Sequence, residues 1–228
     1  SDRDEDRRLL IQQTVLMQAR LQWFGVDMDV PPQRNIVAIG NLTESRQQQE
    51  RAFRKCRFLP VVAKSDRAKW MREAQYFLNK DPQRQYARYA VITCGERIPF
   101  GPDFVEKAEA VIAKVQANIR RWASDGRKKY DVDVLLKTLE AALNPESAHF
   151  HFNIVFIPRR RLSKPEHARW LTWTKRRLGG VHWKDCGRIR DLREVIKYSC
   201  KLQGPESLEA LDNRDFLSMF GVMHGRST

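Results

Sequence analysis

Apolar residues recur along this chain at two periods, and the changes between them mark its elements. The run RRLLIQQTVLMQARLQWF reads as a helix through residue 24, with Leu10, Val15, Leu21 and Phe24 as core contacts. A turn-rich stretch with Pro31 and Pro32 ends it. Residues 65–78 predict a second helix, Ser65 serving as its N-cap and Trp70 and Phe77 as apolar positions. YAVITC reads as a strand. Residues 103–122 carry Val105, Ala108, Ile112, Val115, Ile119 and Trp122 at helical spacing, the stripe of an amphipathic helix. KTLEAALN and HFHFNIVF then read as two strands paired through PESA, followed by a basic helix over 165–178 and a short strand, VHWKDC. DLREVIKYSCK is helical, and the tail SLEALDNRDFLSMF predicts one or two short docking helices. This order predicts an α+β fold: a central antiparallel β-sheet covered by helices, with extra N-terminal helices.

Chemistry concentrates in two of these elements. From His149 to Ile157, the residues His149, His151, Asn153, Val155 and Ile157 alternate with Phe150, Phe152, Ile154 and Phe156, the period of a strand. Both imidazoles then share one face, close enough to hold one ion, while the phenylalanines pack on helices. The bland alternative is a pair of strand histidines without a ligand. In DLREVIKYSCK, Glu194, Tyr198 and Lys201 form one helical stripe of acid, phenol and amine. A phenol titrates near ~10 and needs a neighbouring cation or metal to act as a nucleophile at neutral pH. Lys201 can supply that charge and Glu194 can act as a general base. An ordinary charged helix with a half-buried tyrosine would show the same spacing.

Taken together, the blocks YAVITCGER, LEAALNPESAHFHFNIVF and EVIKYSCK, in that order over 88–201, resemble the HUH endonuclease superfamily. The likeness is to the single-domain, single-tyrosine replication initiator (Rep) proteins of rolling-circle plasmids. It implies a metal-assisted nicking and joining enzyme that attaches single-stranded DNA to Tyr198 as a 5′-phosphotyrosine and leaves a 3′-hydroxyl. It also implies a third metal ligand, and the matching block offers Glu140; Glu146, in the connecting loop, competes with it. A strand-borne carboxylate is held more tightly, which favours Glu140. Two imidazoles and a carboxylate with open positions suit Mn²⁺ or Mg²⁺. In some such initiators a glutamate one turn before the tyrosine serves the terminating hydrolysis, the place of Glu194. Rival readings are a conjugative relaxase or single-strand transposase of the same superfamily, and a non-catalytic DNA-binding module.

Charge changes the picture further. With 42 Lys+Arg against 28 Asp+Glu the net charge is +14 and the pI near 10.0, which favours a phosphate backbone as partner. Between Pro158 and Arg193, twelve basic residues face three acids, with Trp170, Trp173 and Trp183 among them. Arg159, Arg160 and Arg161, and Lys175, Arg176 and Arg177, are the candidate DNA grip; the tryptophans either stack on unpaired bases or pack in the core. Expected partners are single-stranded DNA or an origin hairpin. No P-loop is present, so a host helicase would supply unwinding and a DNA polymerase would extend the 3′-hydroxyl. Cys56, Cys94, Cys186 and Cys200 show no C-x-x-C spacing, which argues against a zinc ribbon. His182 reads as structural. No signal peptide or spanning segment is visible, and a cytoplasmic location without a membrane partner is expected. The expected organisation is an N-terminal helical accessory region (1–80), a nicking and joining core (81–203) and a helical tail (204–228).

Overall fold

A computed structural model describes residues 2–29, 37–39, 46–48, 53, 54, 56, 58–190, 211 and 213–224. The expected nucleophile helix, with Glu194, Tyr198 and Lys201, lies outside the described residues. The chain divides into two compact units, 1–65 and 66–228, a division that falls inside a helix, α2 (Pro60–Lys80), where the sequence pattern places a boundary at residue 80.

The first unit contains α1 (Asp2–Trp23) and a short antiparallel pair, β1 (Val37–Ile39) and β2 (Arg46–Gln48). Thr14 is fully buried in α1: its hydroxyl donates to the Leu10 carbonyl and accepts the Val61 N–H in the first turn of α2, a donor with no partner inside its own helix. Leu21 is buried as expected, but Val15 is about half exposed, and Met17 occupies the core instead.

The second unit is an α+β layer structure. Its strands are β3 (Arg88–Thr93), β4 (Ile98–Pro99), β5 (Val132–Leu143), β6 (Ser147–Pro158) and β7 (Trp183–Arg188), all antiparallel. Strand β6 is central: β5 runs along one edge, β3 and then β4 along the other, and β7 flanks β3. Two helices, α3 (Phe104–Tyr130) and α4 (Lys164–Arg177), pack on the phenylalanine face of β6. Phe104 meets Phe150 with ring centroids 6.4 Å apart, Trp122 meets Phe156 edge-on at 6.0 Å and Trp183 at 5.3 Å, and Trp170 meets Phe156 at 5.7 Å. The Trp122 indole donates to Thr174 Oγ1 at 3.1 Å, satisfying two buried polar groups at once. A final helix, α5 (Asn213–His224), packs on α3 and buries Phe216, Met219 and Val222.

Several elements differ from the sequence pattern. Helix α2 starts at Pro60, a residue suited to a first turn because it lacks the N–H that turn leaves unpaired, so Ser65 is interior and not a cap. Helix α3 runs on past Trp122 through Gly126 to Tyr130. Gly126 is buried beneath Trp173, and Tyr130 packs on the same indole at 5.1 Å, so tertiary packing outweighs the poor helix propensity of glycine. Phe104, not Val105, heads the buried stripe. Strands β5 and β6 each span twelve residues, longer than the alternation shows. No helix among the described residues is long and apolar enough to cross a membrane.

Candidate metal centre

The hairpin that carries the histidines is closed by its own turn. Asn144 Oδ1 accepts from the Glu146 and Ser147 backbone N–H groups, at 3.0 and 2.7 Å, and from Ser147 Oγ at 2.9 Å. That turn sets the register, which places Glu140 opposite His151 and Ala142 opposite His149. Directly paired residues project from the same face, so Glu140, His149, His151 and Asn153 stand together on the side of the sheet opposite the phenylalanines.

The two imidazoles lie with ring centroids 4.4 Å apart. His149 Nε2 is 2.9 Å from the Gly95 carbonyl; a carbonyl only accepts, so Nε2 is the donor of this bond. His151 Nδ1 is 3.4 Å from Thr93 Oγ1, leaving Nε2 outward. Burial lowers the His151 pKa, and the charges of His149 and Arg97 lower it further, so the ring is held neutral, the form that binds metal. Cys94, in the bend beside them, is no donor: burial pushes its thiol up to about 12, and the thiolate is the ligating form.

Glu140 faces this pair but is turned to a neighbour. Its Oε2 accepts from Asn153 Nδ2 at 3.0 Å, and Asn153 Oδ1 accepts from the Tyr89 hydroxyl. Asn153 is 2% exposed, so its amide fixes the carboxylate from beneath. Among the described residues no three His, Cys, Asp or Glu side chains converge tightly enough to hold a metal ion. The chemistry of the donor set nevertheless fits one: two imidazoles and a carboxylate on adjacent strands of one face. Glu146, the competitor, is exposed in the turn, its own carbonyl bound by the Phe100 N–H at 2.9 Å.

The candidate DNA grip is elsewhere. Arg159 is committed to Asp133, at 2.7 Å, and to Asp81, so it pins the end of β6 and is not a free cation. Burial works against its charge, but these two carboxylates raise its pKa. Arg160 pairs with Glu166 at 3.1 Å and Arg177 with Asp125; Arg161, Lys175 and Arg176 are exposed. All belong to α4 or the loop leading into it, and α4 covers the phenylalanine face, so the structure does not bring them to the histidines. Trp170 and Trp183 are core residues, 2% and 7% exposed, and Trp173 packs on Tyr130, which leaves none as an open stacking platform. The cations that do share the histidine side are Lys184, whose register partner Val91 is itself opposite Asn153, and Arg97, close enough to act on His151. The sequence pattern passed over both, together with Tyr89, Thr93 and Asn153. For Tyr89, Thr93 and Asn153 the signal was there in YAVITCGER and HFHFNIVF, since alternate positions on a strand face the same side; Lys184 and Arg97 are placed by the pairing of β7 and by the bend after β3. His182 is structural in part, its carbonyl accepting the Thr93 N–H at 2.9 Å.

Comparison with known proteins finds no matching family model, no similar curated protein and no similar solved structure.

Proposed function

We propose that this chain nicks and rejoins single-stranded DNA in the manner of a rolling-circle plasmid replication initiator, with Tyr198 as nucleophile and a divalent ion held by His149, His151 and Glu140. The observation that carries the reading is the placing of two adjacent imidazoles on the central strand, with a carboxylate in register opposite them. Bound there, Mn²⁺ or Mg²⁺ would supply Lewis-acid polarisation of the scissile phosphate.

The chain's own residues supply the rest. His151, held neutral by burial, keeps a lone pair available at the pH where DNA is handled. Arg97 and Lys184 add positive charge on the same side of the sheet, where it attracts the strand. The phenolate oxygen of Tyr198 attacks phosphorus in line as the bond to the 3′ oxygen breaks. The DNA 5′ phosphate is then an ester of Tyr198, and the departing 3′ oxygen takes a proton to become the hydroxyl that a polymerase extends. Lys201, three residues on from Tyr198, favours phenolate, and Glu194 takes the proton of the water that releases the adduct. A host helicase would provide the single strand.

A second reading, a DNA-binding module that does not cut, is favoured by one feature: the Glu140 carboxylate is engaged by Asn153 and not by the imidazoles. Incubating the chain with a broad pool of fluorescent single-stranded oligonucleotides, in Mn²⁺ or EDTA, separates the two on denaturing protein gels. Nicking predicts a metal-dependent fluorescent band that Tyr198→Phe abolishes while DNA binding persists. Binding with neither band nor cleavage would favour the module.

A further inference from the structure

A cleft of the second unit, about 520 Å³, lies away from His149 and His151, at the opposite end of β6 and on the other face of the sheet. Phe156, which lines it, is five residues beyond His151, about 17 Å along a strand. Its volume is within the range of small-molecule sites. Four guanidiniums border it, those of Arg88, Arg160, Arg161 and Arg188. Two are occupied internally: Arg88 by Asp185, at 3.0 and 2.8 Å, and Arg160 by Glu166. Arg188 has no carboxylate partner among the described residues and lies over the Tyr86 ring at 5.5 Å; Arg161 is exposed and likewise unpaired there. The apolar part of the wall is Phe156 and Trp170, and the Trp170 indole N–H is buried with no acceptor among the described residues. That nitrogen is closed off from solvent, so contact with Trp170 is limited to the ring edge that reaches the cleft.

Unpaired guanidiniums select an anion, and a fork of N–H groups matches phosphate oxygens in particular. Tyr86, 40% exposed at the cleft, offers a flat ring an aromatic surface. We infer that this cleft binds a nucleotide: the base against the exposed Tyr86 ring, near the edge of Trp170 that reaches the cleft, and the phosphate between Arg161 and Arg188. The ligand is either a free nucleotide or one nucleotide of a single strand, and its binding needs neither metal nor strand scission, so it stands apart from the nicking reading.

Titration of the whole chain in EDTA tests it, with the four deoxynucleoside 5′-monophosphates, the matching nucleosides, inorganic phosphate and a homopolymeric hexanucleotide as probes. Affinity is read by calorimetry and the indole N–H signals by NMR, the Trp170 signal being assigned by its loss in Trp170→Phe. At least one monophosphate should bind more tightly than its nucleoside or phosphate and shift the Trp170 signal. Arg161→Ala and Arg188→Ala, both at the surface, should each weaken binding about tenfold, the loss of one charge-assisted hydrogen bond. Binding of the hexanucleotide with the same shift, but not of any monophosphate, would assign the site to a nucleotide within a strand. Should neither class of probe move the Trp170 signal, or should both arginine variants bind as the wild type does, the inference is overturned; the arginine variants decide the matter even if Trp170→Phe fails to fold.

Discussion

Asn153 is where the candidate centre and the fold depend on one side chain. It is buried, donates to the Glu140 carboxylate and accepts from the Tyr89 hydroxyl, so each partner loses a hydrogen bond when it is shortened. Asn153→Ala should cost about 1–3 kcal/mol of stability, measured by urea unfolding, because it strands a partly buried carboxylate and a phenol. His151 has a different signature. Burial first, then His149 and Arg97, hold its pKa below the ordinary 6.5. The unfolded chain therefore takes up a proton there before the native state does, and stability must fall as protons become available. The contribution is complete above 6.5 and is lost as pH drops from there through the lower native value. Thermal unfolding between about pH 8 and 5 should show a shallower acid-side loss for His151→Gln than for the wild type; parallel curves would mean that the ring titrates alike in both states. Arg159 shows the limit of reading residues singly. In the sequence it is one of three consecutive arginines, yet its carboxylate partners lie 26 and 78 positions away, and only the fold reveals that its charge is spent.

At the scale of elements, the hairpin of β5 and β6 holds the account together. Its alternation was legible because one face is phenylalanine and isoleucine and the other is polar, which leaves a single register that buries the first face. The opposition of Glu140 and His151 followed from that register. Helix α3 was legible from Ala108 to Trp122 for the same reason, its stripe being continuous. What the sequence hid were elements fixed by distant partners: the two-residue β4, paired with the first residues of β6; the last turns of α3, held by Trp173; and the start of α2, whose Val61 N–H is met by Thr14. Three donors on Asn144 Oδ1 make that residue the closure of the hairpin. Asn144→Ala should lower stability by about 1–2 kcal/mol. Hydrogen exchange should locate the loosening at the histidine end of β5 and β6; uniform loosening across the sheet would assign the effect elsewhere.

Across the second unit, the sheet separates two chemistries. One face presents His149, His151 and Glu140 with Arg97 and Lys184 on the same side; the other is packed by α3 and α4 and carries the arginine-lined cleft at its far end. The excess of positive charge acts on both; in the proposed function it would draw a strand toward the molecule without choosing where the strand is cut. In the proposed function that choice rests on Tyr198 and on an ion held by His149, His151 and Glu140, and a covalent bond between tyrosine and DNA would be its most direct trace. The decisive measurement is intact-protein mass spectrometry after incubation with a single-stranded pool and Mn²⁺, followed by peptide mapping. The account predicts a mass increase equal to an oligonucleotide fragment, attached at Tyr198 and absent in EDTA, in Tyr198→Phe and in the His149→Ala, His151→Ala double variant. Cleavage without any adduct, or an adduct on another residue that survives Tyr198→Phe, would contradict it.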